Sequence, residues 1–331
     1  MGEMGLGADS YLRVQKESVY GTAVTGAMTL LPVKEGTDLI HNVQNIENAN
    51  LISSRTKQAP DLGRKVSSGS IIMDMHPSLM GTLFNFIFGA ASSAAGASST
   101  YIHTWLQELT AVRDGSIFTT MLRRGTELEE QFSSCMVSKV IIEANNEGNT
   151  LITCEIFAKD RATDKPVITS FSYPSLIPFK FCHLVVSEAG LGTIYPDNVT
   201  LEIDMNYDLE RFKMGDCTPQ QPLFNGIPMI KMNMTLDSDQ QFIDAAIAHT
   251  SYDYTLTWTN TELAGGAVPY SMVFELPSCR INPETTVPLS PERLKMDLEL
   301  DCSYGGATTG SPADSVQFEA RIYDAIATYT A

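Results

Sequence analysis

The second half of the chain repeats patterns of the first half. The only two tryptophans lie in the same short pattern, Tyr-x-x-Thr-Trp, at positions 101–105 and 254–258. An internal repeat constrains the fold more than any other sequence feature, because overlooking it leads to a wrong architecture. We therefore expect two similar modules in tandem. In each half the pattern follows an apolar strand-like run and a helix-like run, at 71–75 and 79–87 and again at 229–234 and 242–247.

Length and charge narrow the function classes. A chain of 331 residues with 43% hydrophobic residues is long enough for two cores. Its formal net charge is -17. This charge argues against a protein that grips nucleic acid, which would need clustered lysine and arginine, and against binding to an anionic membrane surface.

Cysteine and histidine spacing gives no sign of a metal centre or a catalytic site. The six cysteines form no CxxC motif, and the five histidines form no HxH or HExxH motif. Each half has a Ser-Cys pair, at 134–135 and 278–279, and a second cysteine near the end of a strand, Cys154 or Cys302. We expect buried free thiols; the alternative is one disulfide in each repeat. No catalytic residue, cofactor or metal is predicted.

One uncharged stretch has the length of a membrane span. Residues 79–97 contain no charged side chain, but the second half of this stretch is built only of alanine, serine and glycine. We expect an amphipathic core helix followed by a flexible loop, with a membrane-inserting segment as the alternative.

Most of the remaining elements are short strands with period-two alternation, which predicts a mainly β fold. We expect two tandem β-sandwich or β-barrel modules, each with one flanking α-helix, at 78–88 and 239–249. The predicted organisation is an N-terminal arm at 1–30, a first module at 31–165, a linker at 166–180 and a second module at 181–331. Strands are predicted at 69–75, 101–106, 116–123, 135–144, 150–158, 199–206, 227–236, 252–260, 270–276, 293–303 and 315–324.

Acidic side chains alternate with apolar ones along two of these strands, at 201–206 and 296–302. Successive side chains of a strand point to opposite faces, so one face of each strand is acidic. Either this face is an ordinary solvated surface, or it forms an acidic wall facing a channel. The candidate residues for that wall, including two proposed equivalents in the first repeat, are Glu143, Glu155, Glu202, Asp204, Asp297, Glu299 and Asp301.

Several short tracts resemble the tail tube proteins of long-tailed, siphovirus-like bacteriophages. The run Gln-Lys-Glu-Ser-Val-Tyr-Gly-Thr-Ala at 15–23 is similar to the N-terminal signature of that family. Other similar features are the Gly-Ser-Ile tract at 69–71, the Phe-Gly helix end at 88–89 and Tyr101-x-His103. The tract Leu-Pro-Ser-Cys-Arg-Ile at 276–281, followed by Val-Pro-Leu at 287–289, looks like the C-terminal part of a tube module.

This resemblance implies a structural virion protein, made in the bacterial cytoplasm and assembled into the phage tail. Its modules would form stacked rings around a channel through which viral DNA passes, without specific binding, during ejection. Rings of this family carry six modules, so three two-module chains would form a pseudo-hexamer. The polar segments 44–68 and 210–226 and the N-terminal arm would reach the next ring. Expected partners are further copies of the chain, the tape measure protein and the tail terminator and baseplate proteins; no membrane is implied.

Other function classes stay open at this point. The chain could be another phage tail, baseplate, adaptor or receptor-binding β protein, which would bind a host cell or carbohydrate without forming tubes. A β-rich glycan hydrolase would need two carboxyl groups facing each other across a concave cleft.

Overall fold

The structure is a computed structural model. It describes residues 10–24, 26, 28–47, 60–108, 116–125, 128–163, 165, 173, 177–282, 294–303, 316–327 and 329. The first half contains β1 (Tyr11–Lys16), β2 (Thr29–Leu31), β3 (Asp38–Ile46), β4 (Asp61–Asp74), α1 (Pro77–Phe88), β5 (Ser92–Ala95), β6 (Tyr101–Glu108), β7 (Phe118–Arg124), β8 (Leu128–Asn145), β9 (Leu151–Ala158) and β10 (Asp160–Ala162).

The second half begins with a short 3₁₀ helix at Phe181–His183. It continues with β11 (Leu184–Glu188), β12 (Gly192–Ile194), β13 (Asn198–Asp204), β14 (Tyr207–Asp208), β15 (Leu223–Phe224), β16 (Met229–Asp237), α2 (Gln240–Ala248), β17 (Ser251–Gly265), β18 (Val268–Ile281), β19 (Lys295–Cys302) and β20 (Val316–Asp324). The mainly β prediction is confirmed.

The pairing of the strands repeats between the halves. In the first, neighbouring strands follow the orders β2-β1-β7-β8-β10 and β3-β4-β9-β8. In the second, the orders are β12-β11-β17-β18-β20 and β13-β16-β19-β18. A helix follows β4 in one half and β16 in the other. We call the first half, with β1–β10 and α1, the first unit, and the second half, with β11–β20 and α2, the second unit.

The two units are joined by backbone pairing. Strand β13 of the second unit pairs antiparallel with β8 of the first, and β6 of the first unit pairs with β20 of the second. The core is also shared: Phe84 on α1 makes edge contacts with Trp105 of the first unit and Phe274 of the second, at centroid distances of 5.4 and 5.6 Å. Most of the predicted linker 166–180 lies outside the described residues, so the module boundaries at 31–165 and 181–331 stay predictions.

Both helices lie within a residue of their predicted positions. Pro77 occupies the first turn of α1, where its missing N–H costs no hydrogen bond, and ten of the twelve residues of α1 are buried. In α2 the Asp239 side chain caps the N-terminus by accepting from the Gln241 amide. No helix within the described residues is long and apolar enough to span a membrane.

Two sequence expectations need correction. The two Tyr-x-x-Thr-Trp patterns lie on β6 and β17, but the pairing makes β7, not β6, the counterpart of β17. Strand β6 instead forms a hairpin with β5, so residues 92–95 are a strand where we expected a flexible loop. The predicted polar segment 210–226 contacts the first unit of the same chain, as described below, and its reach to the next ring stays a prediction.

The cysteines differ between the units. Ser134 and Ser278 both have positive φ, 51° and 58°, and each precedes a fully buried cysteine. Cys279 lies directly opposite Cys302, and the two form a disulfide. In the first unit, the pairing of 136 with 157 places Ala158 opposite Cys135, which stays a free thiol. Buried free thiols are therefore correct for the first unit and wrong for the second.

Candidate acidic face

The seven candidate carboxylates lie on one face of one continuous sheet. The sheet runs β3-β4-β9-β8-β13-β16-β19 and includes strands of both units. Residues directly opposite each other in neighbouring strands share a face. One row across the sheet contains Asp301, Lys231, Glu202 and Ile141, and the next contains Glu299, Asn233, Thr200 and Glu143. Asp297 and Asp204 follow in adjacent rows, and Glu155 lies opposite Lys139.

The opposite face of the same sheet is the protein core. Leu201 and Ile203 alternate with Glu202 and Asp204 along β13, and both are almost fully buried. Leu298 and Leu300 do the same on β19. Burial of these apolar side chains fixes which face of each strand points inward, so their acidic neighbours must point to solvent.

Two lysines that we did not single out in the sequence lie among the carboxylates. Lys139 Nζ lies 2.8 Å from Glu202, and Lys231 Nζ lies 3.0 Å from Glu299 and 4.0 Å from Asp301. The hydrogen bond to Glu202 raises the pKa of Lys139, and the bond to Glu299 raises the pKa of Lys231. The same bond lowers the pKa of Glu299. Alternation along β8 and β16 could have identified both lysines, because each occupies the face of its strand that lies next to the acidic residues of the neighbouring strands.

The face stays acidic despite these pairs. Asp297 accepts a 2.6 Å hydrogen bond from the Thr235 hydroxyl, and no lysine pairs with it among the contacts of the described residues. Partly exposed ion pairs are screened and contribute little to stability. Seven carboxylates against three lysines, Lys139, Lys231 and Lys295, leave an excess of negative charge on the face formed by β8, β9, β13 and β19.

The strand pairing also relates the acids of the two units. Ser70 of β4 lies opposite Glu155, and Asn233 of β16 lies opposite Glu299. These two pairs occupy the same place in the repeated ladder, so Glu155 and Glu299 are structural counterparts. The counterpart of Glu143, counted from the two Ser-Cys pairs, falls at 287, outside the described residues.

The N-terminal signature at 15–23 has a structural role in the first unit. The buried carboxylate of Glu17 accepts hydrogen bonds from the Thr119 hydroxyl at 2.6 Å, the Ser134 amide at 2.7 Å and the Ser134 hydroxyl at 2.6 Å. Ser134, with its positive φ, lies where β8 passes from its pairing with β7 and β10 to its pairing with β9 and β13. Glu17 thus holds the part of β8 from which the strand continues towards β13.

No arrangement for catalysis was found in the described part of the chain. Within it, no three His, Cys, Asp or Glu side chains are grouped so that they could hold a metal ion. The carboxylates of the acidic face are spread over an open sheet surface, whereas a glycan hydrolase would need an opposed pair across a cleft.

The comparisons with known proteins identify the family of the chain. Among curated proteins, none matches the chain. The sequence model of a family described as phage tail tube protein matches residues 7–317, nearly the whole chain. The chain therefore belongs to the phage tail tube protein family, whose members are structural proteins of the phage tail.

Proposed function

We propose that copies of this chain polymerise as stacked rings, with the acidic face lining a channel through which viral DNA passes. One observation carries the proposal: all seven carboxylates share one face of a sheet that continues from one unit into the next. A wall built from several such sheets would present the same negative face all around its interior.

The junction inside the chain supplies a template for the junction between chains. Residues 139–145 of β8 pair with β13, the first inner strand of the second unit. Its counterpart in the first unit is β3, which in the described part of the chain pairs only with β4. An unpaired strand edge is a site for pairing with another chain. A second copy that covers β3 as β8 covers β13 makes a head-to-tail contact, which closes into a ring when the rotation permits.

Three chains would then give six units. The two units of one chain are alike in pairing order, so successive junctions would have nearly equal rotation. A ring of three chains would contain three junctions within chains and three between chains.

The charge of the face suits passage of DNA without binding. Duplex DNA carries about one negative charge per 1.7 Å of axis. An acidic wall repels it from all sides, so the DNA slides and does not adhere. Screening limits this repulsion to about 8 Å at physiological salt, so the effect requires a narrow channel. The tape measure protein would occupy the channel before the DNA, and terminator and baseplate proteins would bind the two tube ends in the virion.

Electron microscopy of the purified protein at rising concentration tests the assembly. We expect hollow tubes or discs of uniform width with a threefold arrangement of chains. Rings of six whole chains would keep the tube but contradict the three-chain ring. Monomers that persist at every concentration and salt condition would contradict polymerisation.

The charge of the channel has its own test. In preformed tubes, Asp297→Lys combined with Asp301→Lys should make the lumen retain short duplex DNA, in a manner that high salt reverses. Asp244→Lys, on the solvent-exposed side of α2, changes the charge elsewhere and serves as the control. Equal DNA retention by the Asp297/Asp301 variant, the control and the wild type would show that this face does not line the channel.

A further inference from the structure

The segment between β13 and β16 folds over the first unit of the same chain. The backbone amide of Lys65 donates to the carbonyl of Cys217 at 2.8 Å, and the Tyr20 hydroxyl donates to the carbonyl of Pro219 at 3.2 Å. The guanidinium of Arg64 lies 4.7 Å from the centre of the Phe212 ring. The connection between β13 and β16 therefore contacts the first unit, which lies on the other side of β13, the edge strand of the second unit.

The repeat identifies the corresponding surface of the second unit. Pro77 and Gln240 begin the two helices, and Ser70 and Asn233 hold the same place in the two ladders. Residues of β4 thus correspond to residues 163 positions later, which makes 227–229 the counterpart of 64–66.

This counterpart has a different chemistry. Ile227 is 60% exposed and Met229 51% exposed, where the first unit has Arg64 and Val66. Pro228, at the position of Lys65, has no N–H to donate. We call Ile227 and Met229 the second-unit patch. The patch has two apolar side chains where its counterpart has one basic and one apolar side chain, so its occupant should be apolar.

The chain contains a segment of matching character at the corresponding place. The counterpart of the β13–β16 connection is the hairpin formed by β3 and β4. Leu62, paired opposite Asn45, is 67% exposed, and Ile46, paired opposite Asp61 and 51% exposed, faces the other side of the hairpin. Within the described residues neither side chain packs against the core. Strand β13 lies next to the first unit of the same chain. By analogy, the edge strand β3 would lie next to the second unit of another copy.

We propose that the β3–β4 hairpin of one copy docks Leu62 on the second-unit patch of the neighbouring copy in the same ring. This inference rests on the proposed ring assembly. It assigns the hairpin to contacts within a ring, where the sequence alone had suggested a reach to the next ring. Two apolar surfaces that are exposed in the single chain are buried together when the ring closes, which favours assembly over the free monomer.

Cross-linking tests the contact directly. In a background with the exposed Cys182 and Cys217 replaced by serine, Leu62→Cys and Ile227→Cys are introduced together. Oxidised tubes should yield covalent oligomers that stop at one closed size, a trimer for a three-chain ring. An extending ladder would place the hairpin on another ring, and tubes without any cross-link would show that it docks elsewhere; both outcomes overturn the inference.

Substitutions without cysteine provide the second arm. Ile227→Asp and Leu62→Asp should each raise the concentration needed for tube formation by tenfold or more. Ile247→Asp, on exposed α2 and outside the patch, should leave it unchanged. Equal effects of all three variants would overturn the docking. If wild-type protein forms tubes and these results fail, only the docking is wrong; if wild-type protein forms no tubes, the proposed assembly itself is wrong.

Discussion

Replacing Ala158 with cysteine should create, in the first unit, the disulfide that the second unit already has. Cys135 corresponds to Cys279, since each follows a serine with positive φ at the same bend. The register places Ala158 opposite Cys135, as Cys302 is opposite Cys279. Cys135 and Ala158 are both fully buried in the same core.

The expected gain follows from the length of the loop that the bond closes. The native disulfide joins residues 23 positions apart, and the new bond would join residues with the same separation. A cross-link of this span removes conformational entropy from the unfolded chain equivalent to about 3 kcal/mol. Burial raises the pKa of the Cys135 thiol to about 12, so the thiolate is scarce in the folded protein. Oxidation should therefore be carried out during refolding.

Urea unfolding, followed with and without reductant, measures the effect. Mass spectrometry should find the loss of two hydrogens in the peptide pair containing 135 and 158. Ala158→Ser adds a side chain of similar size without a thiol and serves as the control. A bond between 135 and 158 that gives no more stability than the serine variant would refute the entropic argument. Two buried thiols that do not bond after oxidative refolding would refute the register.

Two further predictions concern the C-terminal segment. His103 donates through Nε2 to the carbonyl of Ile326 at 2.8 Å; burial lowers its pKa, but this bond and the Asp324 carboxylate raise it above the ordinary value overall. The stabilising contribution of protonated His103 is complete below about pH 6.5 and is lost as pH rises through the raised pKa. The free energy of urea unfolding of wild type should therefore exceed that of His103→Gln by less at pH 9 than at pH 6. A constant difference would contradict this. A Cβ on Gly81 would lie 2.0 Å from the Tyr329 ring, so Gly81→Ala should cost about 1–3 kcal/mol and expose the C-terminus to carboxypeptidase. Gly26→Ala, where a Cβ meets nothing within 4 Å, is the control, and equal stability of both variants would contradict the packing argument.

The local elements could be predicted from the sequence because their signals are local. Alternation along 201–206 and 296–302 predicted both strands and the face on which their carboxylates lie. Pro77 and the apolar spacing after it predicted α1 almost to the residue. The acidic residues could be identified without tertiary information, because acidic and apolar residues alternate with period two in the sequence of each strand.

Contacts between distant segments could not be predicted in the same way. Motif matching aligned the two tryptophan patterns, yet one lies on an added hairpin strand that joins β20 of the other unit. It also aligned Cys154 with Cys302, whereas the register places Ala158 at the position of Cys302. A bulge between 137 and 139 shifts the ladder, and a shift in register leaves no trace in the composition of either strand.

The sequence by itself determined that this chain is a mainly β tandem repeat with acidic faces on two strands of its second half and a resemblance to tail tube proteins. Only the tertiary structure decided that these carboxylates share one face of a single sheet with Glu143 and Glu155 of the first half, because this depends on β8 pairing with β13, far away in the chain. It also decided that the β13–β16 connection contacts the first unit of its own chain, whereas the β3–β4 hairpin has exposed apolar side chains. Side-chain polarity is a property of each residue, whereas strand pairing is settled by the burial of both partners together.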